Sequence, residues 1–176
     1  MFGKEQAPEV ELKRLFWKEL AASPFIMLGL QGVEDSRTRP MTAQIDVPEG
    51  GDKDDGGQLY FFGSKSESLV SAIGQNHQAV ATFASKGHDL FAHVHGKLVL
   101  ENDRAVIERL WNPIIASWYK DGKDDPDLAL IRFDTNKAEL WRAEAGATLK
   151  AAALKALFDV DPGEEQQKEN RADVKL

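Results

Sequence analysis

The sequence predicts a mainly β fold, of α+β type, in which an antiparallel barrel carries peripheral helices. About six or seven short segments show the apolar runs or alternation typical of strands, and few helices lie between consecutive strands. A parallel doubly wound sheet would need a helix at most of those connections. With 176 residues the chain fits one domain, predicted over 1–158, and residues 159–176 are expected to form a disordered acidic tail.

Each element is assigned from its own residue pattern. Leu12, Phe16 and Leu20 recur at helical spacing ahead of Pro24, whereas apolar and polar residues alternate over 89–100 as in a half-buried strand. In chain order the predicted elements are a helix over 7–22, a strand over 25–31, a hairpin of strands over 37–47 and 58–65, a helix over 65–76, strands over 79–84 and 89–100, a helix from 102 or 103 that Pro113 interrupts, strands over 128–133 and 137–142 joined by a tight turn at 134–136, and a helix over 147–158.

The composition excludes several classes of function. A net charge of −7 without a basic run argues against a nucleic-acid partner, and the absence of cysteine excludes disulfides, thiolate nucleophiles and cysteine-ligated metals. The sequence also lacks a Walker loop, a dinucleotide-binding glycine turn, a nucleophile elbow and a His-Glu-x-x-His motif. Because it has neither a secretory signal nor an apolar run of about 18 residues, we expect a cytoplasmic protein with no membrane partner.

The hairpin over 37–47 and 58–65 carries the residues of a candidate phosphate site. Arg39 lies near the start of the first strand, and Ser64 and Lys65 end the second, so pairing of the two strands would bring these residues together. A helix beginning near Lys65 would add unpaired N–H groups, and Gly63 would let the backbone approach a ligand. This arrangement indicates a phosphorylated cofactor.

Two further sets of residues have side chains suited to a binding site. His93 and His95 share one face of a predicted strand, but no carboxylate follows at the spacing of a cupin-like metal site, so two polar side chains on a half-exposed face are favoured over metal ligands. Trp111 has the spacing of a core residue, whereas Trp118 and Trp141 end elements beside polar residues, where a ring can cover a planar heterocycle.

Six motifs in order make the sequence similar to a known family. The motifs are Arg39-Pro-Met41, Leu59-Tyr-Phe-Phe62 with Ser64-Lys65, Gly96, Leu110-Trp-Asn-Pro113 with Trp118, Gly122 to Pro126, and Ala138-Glu-Leu-Trp141. Through these motifs the chain resembles, over roughly 12–149, the bacterial general stress proteins of the pyridoxamine 5'-phosphate oxidase-like superfamily.

The resemblance implies a split β-barrel that binds flavin mononucleotide (FMN), usually as a homodimer with its two cofactor sites at the subunit interface. By position, Arg39, Ser64 and Lys65 would hold the phosphate, and Trp118 or Trp141 would cover the isoalloxazine ring. The residues expected along the ribityl chain and ring are Pro40, Met41, Thr42, Phe61, Phe62 and Gly63.

The chain departs from the family pattern at two positions near the expected phosphate. Gly63 stands where a Thr is common, and Leu69 stands where a Lys is usual. Losing one charge-assisted contact would weaken binding by about 1.5–3 kcal/mol, although Ser68 could supply a replacement hydroxyl. No Arg-x-His pair follows Trp141, so a true pyridoxamine phosphate oxidase is disfavoured.

Four functional hypotheses remain open. The first is a flavin-dependent oxidoreductase of unknown substrate, and the second is a flavin-binding or flavin-sensing stress protein without turnover. The third is a metal-dependent enzyme that uses His93 and His95. The fourth, a deazaflavin-dependent reductase, predicts a larger basic groove than this acidic chain offers.

Overall fold

The computed structural model describes residues 8–143 and 170–176. The helices are α1 Pro8–Ala22, α2 Ser68–Ile73, α3 Arg104–Leu110 and α4 Pro113–Ala116, with short 3-10 turns at Lys53–Asp55 and Gly122–Asp124. The strands are β1 Phe25–Leu30, β2 Arg39–Thr42, β3 Gln44–Asp46, β4 Gln58–Ser64, β5 Asn76–Ala84, β6 Leu90–Leu100, β7 Leu128–Arg142 and β8 Arg171–Val174.

All strand pairs are antiparallel, and the chain itself closes the sheet. Along the sheet the order is β2-β1-β5-β6-β7-β4-β3, with β8 on β7. The two ends of this path, β2 and β3, are separated only by Ala43, so the sheet must curl until its edges approach each other. The predicted antiparallel barrel with peripheral helices is confirmed.

The apolar core has two parts, and β4 separates them. Leu59 and Phe61 point into the barrel, where Phe16 of α1 also packs without solvent exposure. Tyr60 and Phe62 point to the opposite face, against a second cluster built from α3, α4 and the segment after them. Both faces of β4 are therefore buried, which explains its nearly continuous apolar sequence.

The α3–α4 segment follows its sequence signals. The Asp103 carboxylate accepts hydrogen bonds from the N–H groups of Ala105 and Val106, at 2.8 and 3.4 Å, and caps α3. The Asn112 side chain caps α4 in the same way, with Pro113 in its first turn. The predicted interruption at Pro113 is confirmed.

The predicted hairpin over 37–47 and 58–65 is only half correct. Gln44–Asp46 pairs with β4, but Arg39–Thr42 pairs with β1 instead. Ala43 lies between the two short strands, and its N–H donates to the carbonyl of Pro24 at 2.7 Å. A single apparent strand is thus divided between the two edges of the sheet, which residue patterns do not reveal.

The predicted turn at 134–136 is wrong, because β7 runs without interruption from Leu128 to Arg142. Its two halves pair with the same long strand β6, and the register shifts where Gly96 faces Thr135 and His95 faces Lys137. The intervening Asn136 forms a bulge. Gly96 permits this close approach, since a β-carbon there would lie 2.5 Å from the carbonyl oxygen of Asp134.

The predicted disordered tail over 159–176 needs a correction at its end. Residues 171–174 form β8 on the edge of β7, with Ala172 and Val174 buried in the barrel core. Those two residues alternate with polar neighbours, as in a half-buried strand. The pattern covers only four residues of a charged segment, so the sequence alone does not reveal the strand. The helix predicted over 147–158 lies outside the described residues.

The remaining predicted elements occur with shifted ends. Helix α1 ends at Ala22 as predicted, and β6 buries Ala92, Val94 and Leu98 on one face. Helix α2 is shorter than expected, and β5 begins earlier, at Asn76. Within the ranges 8–143 and 170–176, no helix has the length and apolarity needed to cross a bilayer.

Candidate functional site

A small cleft opens where β2 and the end of β4 come together. Its volume is about 280 Å³. The walls come from β2, the end of β4, the turn after it and the segment after α4. The lining residues are Arg39, Pro40, Met41, Thr42, Phe62, Gly63, Ser64, Glu67, Trp118 and Tyr119. The cleft therefore brings together most of the predicted site residues, although β2 and β4 are not paired.

Arg39 is held in the wall of this cleft by three contacts. Its Nη2 donates to Oδ2 of Asp35 at 2.7 Å and to Oγ of Ser68 at 2.9 Å, and its Nη1 donates to the carbonyl of Arg37 at 3.1 Å. The side chain retains 23% of its exposure, so an incoming anion can reach it. Ser68 does not line the cleft, but it is tied to the site through Arg39.

Asp35 lies between two guanidinium groups. Besides Arg39, it accepts hydrogen bonds from Nε and Nη2 of Arg37 at 2.7 and 2.9 Å. The hydrogen bond from Arg37 is the largest cause that holds the pKa of Asp35 well below its usual range, and the charge of Arg39 acts in the same direction. Asp35 is therefore a carboxylate throughout the neutral pH range. Asp35 was not predicted as a site residue, because a carboxylate by itself does not indicate a phosphate site, whereas the neighbouring Arg39 does.

The turn after β4 uses its N–H groups within the protein. The N–H of Lys65 donates to the carbonyl of Asp127 at 2.7 Å, and the N–H of Ser66 donates to the Asp127 carboxylate at 2.9 Å. The N–H of Glu67 returns to the carbonyl of Ser64. The N–H groups of residues 65–67 are therefore paired, and the helix predicted to begin near Lys65 begins at Ser68. The Lys65 side chain is also not part of the cleft wall.

Tyr119 fixes the end of β4 from behind. Its hydroxyl donates to the carbonyl of Gly63 at 2.9 Å, and burial raises the pKa of Tyr119 to about 12, so the hydroxyl stays protonated. The ring also packs at 6.1 Å from Trp111, which in turn meets Phe62 edge-on. No sequence pattern indicated this role for Tyr119, because its partner is a distant backbone carbonyl.

The two family departures face the barrel core. A β-carbon at Gly63 would lie 3.0 Å from Cγ2 of Val70 and 3.4 Å from Cδ1 of Ile131. Leu69 is 2% exposed and belongs to the barrel core. Packing therefore gives a reason for both residues. A larger side chain at position 63 would be too close to the side chain of Val70.

A second and larger cleft adjoins the first and shares Thr42 and Trp118 with it. Its volume is about 660 Å³, and its walls are mainly apolar side chains of β3, α4 and the segments around them. Trp118 keeps 55% of its exposure at the junction. On the rim, Arg109 makes two hydrogen bonds to the Asp46 carboxylate, at 2.9 and 2.6 Å.

Two other predicted site residues lie away from both clefts. Phe61 is fully buried on the barrel side of β4, opposite the face that leads to the cleft. Trp141 pairs with Phe91 near the far end of β7, whereas Leu128 at the near end pairs with Ser64. Within one chain, the structure does not bring Trp141 to this site.

His93 and His95 lie side by side on β6, with ring centroids 4.6 Å apart. In the part of the chain that the structure describes, no group of three or more His, Asp or Glu residues is arranged to hold a metal ion. The pair has Glu139 and Lys137 as cross-strand neighbours on β7.

Similar solved structures carry the same fold. A protein assigned to the general stress family from Xanthomonas campestris pv. campestris is 47% identical, with a TM-score of 0.71, over 80% of this chain and 92% of that one. The general stress FMN/FAD binding protein from Xanthomonas citri is also 47% identical, with a TM-score of 0.69, over 77% and 91%. A general stress protein 26 from Jannaschia sp. CCS1 is 26% identical, with a TM-score of 0.72, over 94% and 99%.

The family model described as pyridoxamine 5'-phosphate oxidase like matches residues 11–159, which is most of the chain. No curated protein sequence matches this chain. The curled antiparallel barrel and the similar structures agree with that match. The chain therefore belongs to the pyridoxamine 5'-phosphate oxidase-like family of split β-barrels, among its general stress proteins.

Proposed function

We propose that this protein binds FMN across its two adjoining clefts, as a flavin-binding stress protein and a flavin-dependent oxidoreductase of unknown substrate. The observation that carries the proposal is the chemical difference between the clefts. One is small and contains Arg39, and the other is larger and mainly apolar. A molecule with a phosphate at one end and a fused ring at the other matches that difference.

The small cleft suits the phosphate. Arg39 is a fixed cation that keeps part of its exposure, and Ser64 and Thr42 bring hydroxyl groups to the same walls. Ser68 already accepts from Arg39, so its hydroxyl is close enough to share a ligand. Lys65 would contribute at longer range from outside the wall.

The large cleft suits the ring. Trp111 and Trp118 supply aromatic faces, and Ile45 adds an aliphatic surface. Thr42 belongs to both clefts and marks the path between the two ends of the ligand. The general stress protein from Xanthomonas citri, 47% identical, is an FMN/FAD binding protein, which supports a flavin here.

We further propose a homodimer that forms through the outer face of the sheet. Phe25, Met27 and Phe91 point outward with 66, 38 and 40% exposure. Trp141 is the cross-strand partner of Phe91 and therefore lies on the same face. This proposal accounts for a Trp of the family pattern that lies far from its own cleft.

Bound FMN would supply the electron-transfer chemistry, and the residues of this chain would bind and orient it. The second candidate is a flavin-binding protein without turnover. It is favoured by the state of the polar groups in the clefts, because Arg39, Arg109 and Tyr119 are all committed to internal hydrogen bonds.

Titration of the purified protein with FMN, followed by visible absorbance and fluorescence quenching, tests the binding. We expect saturable binding at micromolar levels or tighter, and absence of binding would overturn the proposal. Addition of NADH or NADPH then separates the two candidates. Bleaching of the bound flavin supports the oxidoreductase, and no bleaching with any donor supports the binding protein.

Sedimentation velocity tests the dimer. We expect the wild-type protein to sediment as a dimer and Phe91→Glu to sediment as a monomer. Val10→Glu is a matched control, because Val10 is 48% exposed on α1, away from the sheet face. A monomeric wild-type protein, or a dimer that survives Phe91→Glu, would contradict the proposed interface.

A further inference from the structure

We propose that Asp35 is an internal counter-anion of the phosphate cleft, and that it limits how strongly the site selects a phosphorylated flavin over riboflavin. This inference rests on the proposed flavin binding. It concerns a residue outside the family motifs, in the loop between β1 and β2. Its basis is the set of contacts around Arg39.

The first step is that Arg39 is already engaged by an oxyanion. Its Nη2 has two N–H bonds, and these go to Asp35 and Ser68 at 2.7 and 2.9 Å. A phosphate that approached this nitrogen would have to displace the carboxylate or share the guanidinium with it. The guanidinium of Arg39 is therefore already paired with a carboxylate before any ligand arrives.

The second step is the balance of charge in the cleft. Among the lining residues the ionised side chains are Arg39 and Glu67, one of each sign. Asp35 adds a further negative charge next to Arg39, and Arg37 donates two hydrogen bonds to the same carboxylate, so that Arg37, Asp35 and Arg39 together carry a single positive charge. A phosphate dianion thus meets repulsion from Asp35 that uncharged riboflavin does not meet.

The third step is that Arg39 does not need Asp35 to hold its position. Ser68 and the carbonyl of Arg37 also accept from its guanidinium. An Asp35→Asn substitution removes the charge and keeps an acceptor oxygen for Arg39 where the amide oxygen takes the place of Oδ2, while Nε of Arg37 loses its acceptor. The loop that carries Asp35 is not paired in the sheet and includes Gly32 at φ 71°, so it is not fixed by strand pairing.

The test compares the dissociation constants of FMN and riboflavin in wild type and Asp35→Asn. We expect the substitution to tighten FMN by about threefold to tenfold and to change riboflavin by less than about twofold. Asp124→Asn is the matched control. Asp124 is also an exposed carboxylate paired with an arginine, Arg104 at 2.6 Å, but it lines neither cleft.

Weaker FMN binding in Asp35→Asn would overturn the inference and identify Asp35 as a residue that orients Arg39. Equal changes for FMN and riboflavin would also overturn it, since the effect would then not depend on phosphate. Asp35→Ser repeats the comparison without an amide in case the loop rearranges.

The inference can fail separately from the proposed flavin binding. If the wild-type protein binds neither flavin, inorganic pyrophosphate serves as the probe, and the shift in melting temperature on its addition is measured. A larger shift in Asp35→Asn than in wild type supports Asp35 as the counter-anion. Equal shifts, or no shift in either protein, overturn it.

Discussion

The two faces of β4 show how one motif serves two purposes. On the barrel face, Leu59 and Phe61 are closed off from solvent in the main core. On the opposite face, Tyr60 and Phe62 pack on the α3–α4 layer, and Ser64 continues this face into the cleft. Because successive side chains of a strand point to opposite faces of the sheet, neighbouring residues of this motif contribute either to the barrel core or to the cleft side. Substitutions on one face should change stability, and those at the cleft should change ligand binding.

Phe61→Ala should have the largest effect on stability. Its ring is fully buried and packs at 6.3 Å from Phe133, so its removal should lower the free energy of unfolding by about 3–5 kcal/mol. Urea denaturation of the ligand-free protein measures this. Ser64→Ala, at the half-buried end of the other face, is the control and should change stability by less than about 1 kcal/mol. Similar losses in the two variants would contradict the division of β4 into two faces.

Arg39→Gln should have the reverse profile. We expect FMN affinity to fall by about tenfold to a hundredfold, because a charge-assisted contact is lost, while riboflavin affinity is nearly unchanged. The unfolding midpoint should move little, since both members of the Arg39–Asp35 pair keep part of their exposure to solvent. Fluorescence titration with both flavins measures the effect.

Arg104→Gln is the control for this substitution, because Arg104 also binds an exposed carboxylate, that of Asp124, but lines neither cleft. Its effect on FMN should be much smaller. If Arg104→Gln weakens FMN as much as Arg39→Gln does, the cleft is not the phosphate site.

Gly63→Thr tests the boundary between the two faces. The new β-carbon would press on Val70 at 3.0 Å, so we expect a loss of about 1–3 kcal/mol in the free energy of unfolding. Val70→Ala combined with Gly63→Thr should recover part of that loss, because the contact is relieved. The double-mutant comparison by urea denaturation measures the coupling. Full additivity of the two substitutions would show that position 63 does not face Val70.

The sequence predicted what depends on local pattern. Helix α1 and the alternation of β6 follow from residue spacing within each element. The continuity of β7 and the strand at 171–174 depend instead on which strand edge is free for pairing. The turn-forming residues at 134–136 predicted a turn because their pairing with β6 is not visible in the local sequence. Burial and alternation are local signals, whereas pairing partners are not.

The candidate site divides in the same way. Arg39 and Ser64 could be predicted as phosphate ligands from their charge or hydroxyl group and their positions at strand ends, and both line one cleft. The two residues come together because the sheet curls, which no local pattern indicates. Asp35 and Tyr119 could not be selected, because Asp35 acts only through its contacts with Arg37 and Arg39, and Tyr119 acts through a hydrogen bond to the distant carbonyl of Gly63. The geometry of the fold supplies these two residues.

Tyr119→Phe should have the smallest effect and is visible mainly in its pH dependence. Loss of the hydrogen bond to the Gly63 carbonyl should lower the free energy of unfolding by about 1 kcal/mol at neutral pH.

Burial raises the pKa of Tyr119 from 10.0 to about 12, so between these values the folded protein retains a proton that the unfolded chain has released. The wild type should therefore lose stability as pH rises from about 10 to 12, and the part of this loss that Tyr119 causes should be absent in Tyr119→Phe. Tyr60→Phe is a comparison, because burial also raises its pKa, but Tyr60 does not line the cleft. Urea midpoints measured across that pH range should approach each other in wild type and Tyr119→Phe as pH rises. Parallel curves would mean that Tyr119 does not hold the end of β4 as a protonated donor.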